Sequence, residues 1–161
     1  MLTLNELLPF IGCSERNAEL DRLLKSAGKG IAALSMRKLR SQGVEGIELR
    51  PQGLALTFNE REDYIQTYAE PKDEGEAILV AIFAYGAGGK TFQAYAGPIP
   101  YSAGPIASRE DALREFGAPL RTEVDEGVIE WDQWLKDGFQ MRATYRVDGS
   151  LLRLSFTIPF K

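Results

Sequence analysis

VIEWDQWLKDGFQMRATYRVDGSLLRLSFTIP, residues 128–159, consists of runs of mixed apolar and polar residues cut by two Asp-Gly pairs, Asp137-Gly138 and Asp148-Gly149. Tight hairpin turns need a positive φ, which Gly accepts without steric cost, so each pair marks a reversal between antiparallel strands. The stretch predicts a three-stranded meander: Val128 to Leu135, Phe139 to Val147 and Ser150 to Pro159. Ahead of it, Ser108 to Phe116 predicts a helix with Ser108 and Asp111 at capping-box spacing, ended by Gly117-Ala118-Pro119.

The same order of signals occurs earlier in the chain. Leu8-Pro9-Phe10 followed by Ser14 matches Ile99-Pro100-Tyr101 followed by Ser108, and each Ser is expected to cap a helix. Gly53 to Phe58 matches Gly138 to Ala143, and Ile78 to Phe83 matches Leu151 to Phe156. The expected fold is α+β, with two related helix-then-antiparallel-meander units and the helices packed on one face of the sheet. Residues 1–97 form an α-α-β unit with an acidic connection, and residues 98–161 an α-β-β-β unit.

Within the first unit, apolar spacing predicts helices over Ser14 to Ala27 and Ile31 to Leu39. A hairpin follows, with Ile47 to Leu49 and Leu54 to Phe58 on either side of Pro51-Gln52-Gly53. Asn59 to Glu76 holds seven acids against two bases and is expected as a long connection or an extended hairpin tip. Ala77 to Tyr85 is nearly continuous apolar sequence, the pattern of a central strand. Thr91 to Tyr95 predicts one more short strand.

Composition removes much chemistry. Histidine is absent, and with it the commonest neutral-pH base, the usual metal ligand and every Ser-His or Cys-His pair. One cysteine, Cys13, forms no intramolecular disulfide and no multi-thiolate zinc site. The start of the chain shows no basic leader, and no run of about 18 apolar residues occurs, so a cytoplasmic protein is expected. The net charge is −4. Nucleic acid and membrane are therefore disfavoured as partners, and a protein with a basic surface is favoured.

Gly117-Ala118-Pro119, Trp131-Asp132-Gln133-Trp134, Asp137-Gly138-Phe139, Tyr145 to Gly149 and Leu152-Arg153-Leu154 together form a short Gly- and aromatic-based pattern. It resembles the helix-then-meander units of the SmpA/OmlA group and of the beta-lactamase inhibitory proteins, which also occur in immunity proteins of bacterial toxin systems. The resemblance covers about residues 98–158. It implies a tandem helix-on-sheet protein whose open sheet face or loops grip another protein, without the lipoprotein signal of the envelope members.

The expected function is that of a cytoplasmic immunity or inhibitor protein that occludes a bacterial toxin, with no catalytic residue, cofactor or metal. Glu62, Asp63, Asp73 and Glu74 are expected to meet basic groups of the toxin, with Tyr64 and Trp131 supplying apolar contact. Trp131 and Trp134 stand an odd number of positions apart, so a regular strand sends them to opposite faces; if Trp134 joins the core, Trp131 points outward. The alternative is a small-ligand-binding protein or enzyme with a cleft between the units and Glu130 or Asp132 as acid or base. Ala84 to Thr91 ends like a phosphate-binding loop, but Ala84 replaces its first glycine and no helix is expected to follow, so it reads as a hairpin turn.

Overall fold

The computed structural model describes residues 1–161. Its strands are β1 (Val44–Leu49), β2 (Leu54–Glu60), β3 (Ala77–Tyr85), β4 (Arg121–Asp125), β5 (Val128–Lys136), β6 (Phe139–Tyr145) and β7 (Leu151–Thr157). They form one seven-stranded antiparallel sheet in the order β1-β2-β3-β7-β6-β5-β4. Five helices accompany it: α1 (Leu4–Leu7), α2 (Ala18–Ser26), α3 (Met36–Gln42), α4 (Arg61–Thr67) and α5 (Arg109–Phe116). The protein is α+β, and no helix is long and apolar enough to cross a membrane.

The main core lies between α1, α2, α3, α5 and one face of the sheet, with Leu4, Leu20, Leu39, Leu56, Phe116 and Trp134 among its buried members. β3 explains its own lack of alternation. Ala77, Leu79, Ile82 and Ala84 belong to this core, whereas Ile78, Val80 and Ala81 join a second cluster with Tyr64 of α4. The helices expected from the sequence share one face, whereas α4, which lies in the acidic connection, packs on the opposite face of the sheet.

Local chemistry moved several boundaries. Helix α2 starts at Ala18, where the Asn17 side chain accepts from the Leu20 N–H (3.0 Å). Ser14 does not cap it; it is fully buried and forms an isolated antiparallel bridge to Ile78. The second expected helix divides into a 3-10 turn, Ile31–Ala33, and α3, capped by Ser35. Thr91 to Tyr95 is not a strand. The acidic connection contains α4, and Arg121–Asp125 adds a fourth strand to the second half.

The two halves repeat one pairing scheme. The Leu79 N–H donates to Cys13 O (2.9 Å) as Leu151 donates to Ala107 O (2.9 Å), and Glu15 to Ala77 O (3.1 Å) as Arg109 to Gly149 O (3.0 Å). Ser14 bridges Ile78 as Ser108 bridges Ser150. A bulge sets Val80 between Leu79↔Phe58 and Ala81↔Thr57, and another sets Leu152 between Leu151↔Tyr145 and Arg153↔Thr144. Backbone geometry therefore matches Ile78 to Ser150 and Phe58 to Tyr145, whereas residue type alone paired Ile78 with Leu151 and Phe58 with Ala143. Such slips matter because an odd shift exchanges the faces of a strand. The central pair Phe83↔Ser155 lies on the pseudo-two-fold axis between β3 and β7.

Candidate functional site

On the sheet face away from the main core, the register builds two rows. One runs Glu123, Trp131, Thr144, Arg153, Tyr85; the next runs Arg121, Gln133, Arg142, Ser155, Phe83. Alternation along β5 sends Trp134 into the core at 2% exposure and leaves Trp131 half-buried on this open face. Trp134 is anchored there by an edge contact with Phe116 (5.2 Å) and by its indole N–H, which donates to Gly117 O (3.0 Å).

The open face carries a groove of about 450 Å³ whose lining includes Phe83, Trp131, Arg142, Arg153, Tyr68 and Phe160 and no carboxylate. The far wall is fastened by the chain end. Phe160 packs against Tyr68 (5.5 Å), and the Lys161 N–H donates to Thr67 O (2.8 Å).

Three guanidinium groups gather on the near side. Arg142 stacks over Trp131 at 3.7 Å, Arg121 lies 5.4 Å from the same ring, and Arg153 sits over Phe83 at 4.6 Å. Arg142 donates to Gln133 Oε1 (2.8 Å), and Arg121 stands 3.9 Å from Glu123. The Nε atoms of Arg142 and Arg153 are buried without an acceptor. Burial, and then the positive charges of Arg121 and Arg153, push the pKa of Arg142 below the ordinary arginine value, against a smaller opposing effect of Glu123.

The pseudo-symmetry shows how local this arrangement is. The first-half counterparts of Trp131, Arg142 and Arg153 are Gly46, Ala55 and Ala81, which occupy the same places in the pairing scheme. Large cationic and aromatic side chains thus stand on one side of the axis and small ones on the other. The sequence pattern does not single out the arginines, although they occupy polar positions of the meander. Their convergence depends on the register of β5, β6 and β7, which no residue type announces.

The acidic residues expected at the interface divide. Glu62 and Asp63 are exposed in the first turn of α4, and Glu74 is exposed in the following loop. Arg61 holds these segments together by donating to Asp73 O (2.9 Å) and Gly75 O (3.1 Å). Asp73 is half-buried, and its carboxylate accepts from the Ser14 N–H (2.8 Å). Tyr64, 2% exposed, packs beneath α4 and is not available as a surface contact, which corrects its expected role. Trp131 is on β5, three strands across the sheet from β3.

Asp132 and Glu130 do not form a carboxylate pair in a cleft. Glu130 is the extra residue of a bulge and is exposed. Asp132 is fully buried on the core side, where it accepts from Arg109 Nε (2.8 Å) and Nη2 (3.3 Å), from the Tyr145 hydroxyl (2.7 Å) and from Thr122. Desolvation favours its neutral form, but the bonds from Arg109, Thr122 and Tyr145 outweigh that and hold its pKa below the usual carboxylate value. The Gly-rich segment after β3 is followed by no helix before α5. Compared with known protein families, curated proteins and solved structures, the chain matches none of them.

Proposed function

We propose that this chain is a cytoplasmic immunity or inhibitor protein that binds and occludes a bacterial toxin effector across the open face of its sheet. The observation that carries the reading is Trp131, stacked on Arg142 at 3.7 Å beside the groove. Trp and Arg are the side chains that most often dominate protein interfaces, and a ring already held in place loses little freedom on binding. The resemblance of residues 98–158 to inhibitor and immunity units supports the same class. Exposed Glu62, Asp63 and Glu74 extend the surface at its other end and suit a basic patch on the toxin.

Co-expression with the product of the adjacent gene, followed by co-purification and binding kinetics, tests the proposal. A stable complex is expected, and W131A is expected to weaken it about tenfold or more, mainly through faster dissociation. Lysine at positions 62, 63 and 74 should chiefly slow association. A neighbour that forms no complex, or a W131A protein that binds as tightly as wild type, would overturn it.

A further inference from the structure

Resting on that protein-binding reading, we infer that the groove receives a single carboxylate of the partner, an Asp or Glu side chain, gripped between the guanidinium edges of Arg142 and Arg153. Both arginines are stacked on aromatic rings, Arg142 on Trp131 and Arg153 on Phe83. Stacking occupies the face of a guanidinium, while its N–H donors lie in the plane and point outward at the edge. Ring contact and carboxylate binding are therefore compatible, and the rings fix the planes in advance.

Most of these donors are also unspent, the Arg142 guanidinium bonding only Gln133. Both Nε atoms are buried without an acceptor, and Arg153 has none of its guanidinium nitrogens bonded within the protein. A buried charged donor left unpaired is costly, and a carboxylate offers two oxygens in the spacing that an arginine edge matches. Arg142 and Arg153 stand on neighbouring strands with Arg121 beyond them, so like charges accumulate along the rows. Glu123, the carboxylate in those rows, lies beside Arg121 and does not line the groove.

Charge and size select a side chain over a nucleic-acid strand. The chain carries −4 overall, and exposed Asp125, Glu126 and Glu130 lie along β4, β5 and their turn. A phosphate chain running across this face would pass those acids, whereas one carboxylate entering the groove meets arginines. The wall of Tyr68 and Phe160 gives the groove room for a group rather than a continuing track.

The test is an NMR titration of the full chain, following the arginine Nε–Hε signals and the Trp131 indole. The probe is N-acetyl-glutamate N-methylamide, with the glutamine analogue as the neutral control. Saturable shifts of the Arg142 and Arg153 signals are expected with the acid at roughly millimolar concentrations, and none with the amide. R142Q and R153Q should each weaken the response about tenfold or more. Should R142Q fail to fold, R153Q carries the test alone, because Arg153 makes no hydrogen bond that holds the fold.

No shift, equal shifts with the amide, or tighter saturation by a short oligothymidylate would overturn the inference. A toxin complex that forms with undiminished affinity in R153Q and R142Q would sink the carboxylate site and leave the protein-binding reading standing. Arginine shifts without any toxin complex would do the reverse.

Discussion

Asp132 carries a full charge inside the main core, and its stability depends on four donors arriving from α5, β4 and β6. Removing the carboxylate strands the Tyr145 hydroxyl and the half-covered Arg109, so D132A should cost about 3–5 kcal/mol. The pH dependence follows from the lowered pKa of Asp132. Its contribution is complete above the unfolded pKa, about 3.9, and is lost as pH falls through the still lower folded value. Urea midpoints of wild type and D132N should therefore differ most near neutrality and converge in acid; a constant gap down to acid unfolding would contradict it. Tyr145, whose pKa is raised first by burial and then by Asp132, remains a neutral donor throughout the same range.

At the scale of elements, Tyr64 and Gly53 separate what holds the fold from what decorates it. Y64A should cost about 3–5 kcal/mol by leaving a cavity under α4, whereas E62Q and D63N, which remove only a favourable charge at the helix start, should each cost at most about 1 kcal/mol, as thermal melts would show. Gly53 has φ 70°, and a Cβ there would run into the backbone at Gln93 O and Tyr95 N. Gly138 has φ 82° but open space around it. G138A should cost about 1–2 kcal/mol from the left-handed backbone alone, and G53A clearly more; equal losses would mean that the 93–95 segment yields. Much of this level was legible: the Asp-Gly turns, the apolar β3 and the Ser108 cap announce themselves. Helix α4 does not, because its N-cap residue Glu60 makes no side-chain capping bond and its apolar anchor is a single tyrosine. Edge strand β4, largely polar and exposed, likewise lacks the buried face that makes a strand readable.

For the whole molecule, the decisive contact is β3 against β7, which joins the halves into one sheet. The first half has no tryptophan, so indole fluorescence reports the second half while far-ultraviolet dichroism reports both. The two signals should trace one coincident denaturant transition; separated midpoints would mean that the halves fold independently. The pseudo-two-fold axis at Phe83↔Ser155 adds a constraint of copy number. Two identical chains related by such an axis would carry Trp131 twice or not at all, but one chain sets Trp131 opposite Gly46 and Arg153 opposite Ala81. If the proposed function holds, one partner per chain is the expected stoichiometry, and the mass of the complex by light scattering should equal that of a single pair.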